Sequence, residues 1–220
     1  MRDHRAVTRD GAEPARVGHL VTSGTFSLDG GTWDVDNNVW IVGNDAECIV
    51  IDAAHDAQAI RDAVGDRRLV AIVCTHAHDD HVNAAPALAD ATGAPIWLHP
   101  ADRVLWDMTH PQRAPDAPLA DGQEIAVGGT TLRVLHTPGH APGCISLYVP
   151  DLSAVFSGDT LFSGGPGATG RSYSDFDTIV SSIRSKLLTL PPGTVVHTGH
   201  GPDTTIAAEA AGADGWSKPE

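Results

Sequence analysis

Apolar positions along the chain fall into short β-prone runs separated by turn residues, and into a few stretches with helical spacing. Residues 1–16 are polar and read as a flexible N-terminal arm. A strand follows over 18–28 and ends in a turn. Val39-Trp40-Ile41-Val42 and Cys48-Ile49-Val50-Ile51 flank Gly43-Asn44-Asp45, and turn residues between two β-prone runs predict a hairpin. Residues 57–64 predict a short helix. Residues 69–74 are apolar throughout, as strands covered on both faces are. Val82, Ala85, Leu88 and Ala89 recur at helical spacing, with Pro86 in the first turn, where a missing N–H costs least. Residues 96–98 read as a strand and 100–122 as helix and loop. Strands at 124–127, 131–136 and 144–149 come next, and Ala154-Val155-Phe156 leads into Gly158-Asp159. A glycine-rich loop over 163–170 reads as a mobile rim. Ile179, Val180, Ile183, Leu187 and Leu188 line one face of a helix that Ser174 or Asp175 can cap. A last strand at 194–197, a closing helix at 204–212 and a short C-terminal tail at 213–220 complete the chain. Hairpins, then strand and helix, then hairpins, then strand and helix predict an α/β fold. Its form is an αββα sandwich, two mixed β-sheets flanked by helices, in a single domain over 17–212.

Composition narrows the function. The 220 residues are 41% apolar and 19% charged, which suits a globular domain. The formal net charge is −14, with 14 Lys and Arg in total and no basic run, so a nucleic-acid partner is disfavoured. No stretch approaches 18 consecutive apolar residues and the first residues hold no apolar signal segment; no membrane partner is expected. Cys48, Cys74 and Cys144 are too scattered for a disulfide framework or a Cys-rich zinc module, and a cytoplasmic location follows as the expectation. A small-molecule substrate fits these exclusions, and a homodimer is compatible with them.

The chemistry concentrates where His76, His78, Asp80 and His81 crowd into six residues after a buried strand. Neutral imidazole and carboxylate are ligands for zinc, iron or manganese. Ligands two apart suit an extended segment, where alternate side chains share a face. Asp80 and His81 are adjacent and should diverge, which favours two metal positions. Clustered imidazoles repel when charged and pack poorly, so a purely structural reason for the cluster is hard to find. His140, Asp159 and His200 each follow a predicted strand, where loops on a rigid scaffold place functional groups. His19, His99 and His110 read as surface or capping residues.

The runs T-H-A-H-D-D-H at 75–81, T-P-G-H-A-P-G at 137–143, S-G-D-T-L-F at 157–162 and T-G-H-G-P at 198–202 resemble the metallo-β-lactamase superfamily. Within it the chain is most similar to the glyoxalase II, or hydroxyacylglutathione hydrolase, branch, over about residues 38–206. The resemblance implies that His76, His78 and His140 hold one divalent ion, that Asp80, His81 and His200 hold a second, and that Asp159 bridges them. Zinc is the first expectation, with iron or manganese as alternatives. Asp52 matches an Asp of the family that supports the ligands from behind. The run continues Asp52-Ala53-Ala54-His55 where the family usually has a glycine nearby, and the role of His55 stays open between a solvated helix-start residue and a site residue.

The resemblance implies a hydrolase that uses a metal-bridging hydroxide, with Asp80 as the catalytic group that orients it. A thiolate, with a reference pKa of about 8.5, departs without a strong general acid. The favoured substrate is therefore a hydroxyacyl thioester. Arg171 and Tyr173 resemble the basic-x-Tyr element with which glyoxalase II grips its thiol carrier. The chain has no counterpart of the helical C-terminal domain of longer glyoxalase II enzymes, and its Ala-, Gly- and Asp-rich composition with only two lysines suggests mycothiol as an alternative to glutathione. The competing expectations are an iron-dependent persulfide dioxygenase on His76, His140 and Asp159, and a lactonase or esterase of the same fold. Antibiotic cleavage is disfavoured, because many β-lactamases carry Cys or Ser at the position of Asp159 and are exported. RNA processing is disfavoured by charge, and a non-catalytic binding module by the complete ligand set.

Overall fold

The structure, a computed structural model, describes residues 13–218. The expected N-terminal arm lies outside them up to residue 12.

The chain first builds a six-stranded mixed sheet in sequence order: β1 (Arg16–Leu28), β2 (Gly31–Gly43), β3 (Glu47–Ile51), β4 (Arg68–Val73), β5 (Ile96–Leu98) and β6 (Ala117–Pro118). The first three strands are antiparallel and the remainder parallel. Helices α1 (Ala57–Val64), α2 (Asp79–Val82), α3 (Ala85–Thr92) and α4 (Arg103–Thr109) fill the connections. The second sheet takes β7 (Glu124–Val127), β8 (Thr130–His136), β9 (Ile145–Val149) and β10 (Ala154–Gly158). After a small ribbon of β11 (Leu161–Phe162) and β12 (Gly165–Pro166) comes α5 (Phe176–Ser182), then β13 (Val195–Thr198), β14 (Thr204–Thr205) and α6 (Ile206–Gly212). The order across this sheet is β14-β13-β10-β9-β8-β7.

Period-two alternation distributes the apolar side chains into three layers. Ile49 and Ile51 of β3 face Leu132, Val134, Leu147 and Phe156 between the sheets. Cys48 and Val50 of the same strand face Ile60, Leu88 and Trp106 on the helices outside. Val155 and Val196 turn the opposite way, toward Ile179, Ile183 and Leu187 of the α5 segment and Ile206 of α6. Helix on sheet, sheet on sheet, and sheet on helix make the αββα sandwich. Among the described residues no helix is long and apolar enough to cross a membrane.

Several local expectations are sharpened. Asp175, rather than Ser174, caps α5, accepting from Thr178 N at 2.7 Å. The helix then widens into a π turn over Ile183–Leu187. Its larger turn keeps residues spaced by four on one buried face. The helix expected from Val82 onward is broken at Asn83-Ala84 into α2 and α3, so Pro86 falls in the first turn of the second piece. The strand at 39–42 is only the end of a longer one. β2 returns from Gly31 along the whole of β1 after a two-residue turn at Asp29 and Gly30, with φ +53° and +78°. Both central residues at positive φ match the twist of the flanking strands. The outer half of this hairpin reads as polar because it leaves the sandwich and reaches over the loops that follow β4. The first part of the glycine-rich loop is folded into a ribbon by β11 and β12, and the rest of it runs on to Ala168 at the cavity described below. In the tail, Trp216 packs against the α5–α6 layer.

Candidate metal centre

The candidate ligands gather at one end of the sandwich because four strands deliver them there. Cys74 and Thr75 carry the chain from β4 to His76; Thr137, Pro138 and Gly139 carry it from β8 to His140. Asp159 follows β10 directly, and Gly199 alone separates β13 from His200. His76, His78, Asp80, His81, His140 and Asp159 are buried, and His200 is partly so.

Their donor atoms point at one another. His78 Nδ1 lies 3.1 Å from His76 Nε2 and 3.0 Å from His140 Nε2, one compact three-nitrogen group. Asp80, His81 and His200 form a second, with Asp80 Oδ2 at 3.5 Å from His81 Nε2 and 3.3 Å from His200 Nε2. Asp159 stands between them, Oδ1 at 3.4 Å from His81 Nε2, and Oδ2 at 3.5 Å from His140 Nε2 and 3.4 Å from His200 Nε2. Asp80 and His81, expected to diverge, converge on one group. They sit on the single turn of α2, where adjacent side chains still share one end, while only 76–78 are extended.

The far side of each ring fixes which nitrogen is free. Asp52 accepts from Thr75 N at 2.7 Å, from Thr75 Oγ1 at 2.6 Å and from His81 Nδ1 at 2.9 Å. Thr75 Oγ1, having given its proton to Asp52, accepts from His76 Nδ1 at 3.1 Å. His140 Nδ1 donates to Ala168 O at 2.7 Å, and His200 Nδ1 to Asp36 O at 2.8 Å. Each of these four rings therefore commits Nδ1 to an outer partner and turns Nε2 inward, the arrangement that outer partners impose on metal-ligating histidine. Asp159 Oδ1 is buried with no hydrogen-bond partner. An orphaned carboxylate oxygen among converging imidazole and carboxylate ligand atoms is the environment a cation satisfies, so the residues fit two divalent ions.

Electrostatics divides the groups. Burial pushes His76 well below the ordinary imidazole range and His78 down to about 3, and it lowers His140 too. Burial also opposes charge on His81 and His200. Asp80 and Asp159 outweigh it, lifting His81 well above its ordinary value and His200 to about 10. Burial raises the two acids, but His81 and His200 bring Asp80 down to about 2 and Asp159 well below the carboxylate range. The first group is neutral; the second already balances its carboxylates with positive charge, which an ion would replace.

Sequence reading missed Asp102. Buried at the start of α4, it accepts from Ala77 N at 2.8 Å and from Gly143 N, tying the loop of His76 and His78 to the loop of His140. Burial outweighs these two donors and pushes its carboxyl up to about 6. Asn37 was missed as well; it donates to Asp80 Oδ2 at 3.0 Å. The Asn37-Asn38 pair just before an apolar strand was the available signal.

A cavity of about 220 Å3 opens over the ligands. Phe26, Trp33 and Val35 of the β1–β2 hairpin form one wall, and Ala168, Arg171 and Ser174 the other. The Arg171 guanidinium lies 3.8 Å from the Trp33 ring centre and 5.3 Å from that of Phe26, a stacked cation. Ser172 N donates to Asp29 Oδ2 at 2.9 Å, joining the hairpin tip to this loop. Tyr173 is 45% exposed, at φ +69°, and is not part of the lining. A larger open groove of about 540 Å3 beside Asp121, His136 and Lys186 contains none of the candidate ligands.

A match to the Metallo-beta-lactamase superfamily spans residues 32–200, and so takes in both donor groups. The chain belongs to this superfamily. It is a metal-dependent hydrolase of that family, and its two His/Asp groups accord with the two divalent metals the superfamily binds. It is 34% identical to the probable metallo-hydrolase YqgX of Bacillus subtilis, over 75% of this chain and 85% of the relative. It is 35% identical to the hydroxyacylglutathione hydrolase GloC of Haemophilus influenzae, over 73% and 82% respectively. Among solved structures it is similar to the BLEG-1 B3 metallo-β-lactamase, with TM-score 0.74, 30% identity, and 86% and 97% of the two chains covered. It is also similar to TTHA1623 in a di-iron-bound form, with TM-score 0.71, 33% identity, and 86% and 96% covered.

Proposed function

We propose that the protein hydrolyses a hydroxyacyl thioester in the manner of glyoxalase II, with glutathione or mycothiol as the thiol carrier. The observation that carries this reading is the pair of three-residue donor groups meeting on Asp159 beneath a small, largely apolar cavity. His76, His78 and His140 would hold one ion, Asp80, His81 and His200 the other, with Asp159 between. Zinc suits the nitrogen-rich set, and the di-iron relative keeps iron open. When bound, two divalent ions supply a water ionised near neutral pH and polarise the carbonyl it attacks.

The rest falls to the chain's own side chains. Asp80 would accept a hydrogen bond from the attacking water and aim it. Of the lining residues that are not candidate ligands, Phe26, Trp33, Val35, Ala168, Arg171 and Ser174, none is a carboxylic acid or an imidazole able to protonate a leaving group. A thiolate asks for no such acid, whereas an alkoxide leaving group does. Arg171, seated over the Trp33 ring, would offer its N–H groups to a carboxylate of the carrier. Tyr173, outside the lining, would serve as a second carrier contact at the rim. Arg171→Ala is expected to raise KM roughly tenfold, the worth of one charge-assisted hydrogen bond, with kcat little changed. Steady-state kinetics on the thioester checks it.

The persulfide-dioxygenase alternative requires one iron on His76, His140 and Asp159. The completed group of Asp80, His81 and His200 on the other side of Asp159 favours two ions. Metal analysis of the purified protein, followed by turnover on lactoyl thioesters of glutathione and mycothiol, a lactone and a β-lactam, tests the reading. Two equivalents of metal with thioester cleavage support it. One iron with oxygen uptake on a persulfide, or turnover confined to the lactone or the β-lactam, overturns it.

A further inference from the structure

His55 is absent from the donor groups, yet its geometry is tightly specified. It follows β3 at φ +59°, a left-handed conformation that costs a side-chain-bearing residue energy and that glycine adopts freely. Its ring packs so closely on β1 that a β-carbon at Gly24 would collide with it. Something in the surroundings holds this strained residue in place, and the hydrogen bonds identify it.

Asn83, just past α2, accepts the His55 backbone N–H on Oδ1 at 2.6 Å. A backbone N–H only donates, so the amide orientation of Asn83 is fixed, and its Nδ2 must donate to His55 Nδ1 at 2.9 Å. His55 then carries its proton on Nε2 and donates to Asn37 Oδ1 at 2.8 Å. This fixes Asn37 in turn: its Nδ2 donates to Asp80 Oδ2 at 3.0 Å and lies 3.5 Å from His200 Nε2. Asp80 Oδ2 is the oxygen that faces His81 and His200. Every donor in the series meets an acceptor, and reversing any one member would set two donors or two acceptors against each other. Asn37 is fully buried, so its amide has no water as an alternative partner.

We infer that His55 and Asn37 form a hydrogen-bond relay that positions Asp80 as a donor to the second metal ion. The inference rests on the dinuclear reading of the site and adds to it two positioning residues outside the ligand set. Asn37 reaches the site from β2, His55 from the end of β3, and Asn83 from α2, so the relay also couples the register of the β1–β2 hairpin to the carboxylate.

The test is competition of the metal-loaded protein with a chromophoric chelator, which reads the release of each metal equivalent without any substrate. The variants are His55→Gly, Asn37→Ala and the double substitution. Glycine suits the backbone at 55 and leaves the Asn83 bond to the main chain intact, so His55→Gly folds even where Asn37→Ala, at a buried site, does not; melting curves verify this. Each single variant is expected to release the second equivalent about tenfold more readily, the usual cost of losing an outer partner, with the first equivalent unchanged. The double variant is expected to be no worse than either single one, because both act through one chain of bonds. Both equivalents held as in the parent by His55→Gly, or effects that multiply in the double variant, would overturn the relay alone. A parent that holds a single equivalent overturns the relay together with the dinuclear reading.

Discussion

Asp159→Ala is expected to lower turnover by at least about 10³-fold and to leave the purified protein with less than two equivalents of metal. Several kcal/mol of transition-state stabilisation depend on a bound ion, and each 1.36 kcal/mol is a factor of ten in rate. Asp159 reaches the inward nitrogens of both groups, with Oδ2 within 3.5 Å of His140 and 3.4 Å of His200, and Oδ1 within 3.4 Å of His81. On the proposed reading, its loss leaves the two ions without a shared ligand. Asp159→Asn keeps the shape and removes the charge, and is expected to fail nearly as badly, because a neutral amide cannot offset positive charge brought to a buried place. Metal analysis and thioester turnover on both variants check the claim. Two retained equivalents with turnover within tenfold of the parent would sink it.

The parts of the fold that were legible in the sequence are those where burial sets a period. Residues 48–51 and 69–74 lie between covered faces and advertise themselves as apolar runs. Ile179, Ile183 and Leu187 recur on one helical face and are buried together. The outer half of the β1–β2 hairpin is the counterexample. Thr32 to Asn37 leave the sandwich and cover the site, so their pattern follows the cavity and not the core. The Asp29-Gly30 turn was the only local sign of it. The site divides in the same way. Crowding of imidazole and carboxylate after β4 needs no knowledge of the fold to stand out. Asn37, Asp102 and the Ala168 carbonyl act through hydrogen bonds to residues 25 or more positions away, and beyond the Asn37-Asn38 pair before an apolar run nothing in their neighbourhoods marks them. Trp33 and Phe26 likewise line the cavity only because the folded hairpin sets them against Arg171.

A methyl group at position 199 is expected to do nearly as much harm as loss of Asp159 itself. Gly199 lies between β13 and His200, and a β-carbon there would overlap Asp159 Oδ1 and lie 2.9 Å from His81 Cε1. The backbone cannot retreat. Gly199 N donates to Gly158 O at 2.9 Å, and Gly199 O accepts from Asn38 N at 2.8 Å, so both sides of the residue are pinned to neighbouring strands. The carboxylate must therefore move, and with it the one group common to both sets of donors. Displacement of about 1 Å in a reacting constellation costs on the order of 10²-fold in rate. Gly199→Ala is expected to lose at least that much, with metal retention reduced and the melting temperature of the metal-free protein changed little, since the clash falls on the site and not the core. Gly193→Ala is the matched control: its β-carbon would enter open space, and its turnover and metal content should equal those of the parent. A Gly199→Ala protein with full activity would mean that Asp159 does not need the position the structure gives it, and the bridging role would fall with that position.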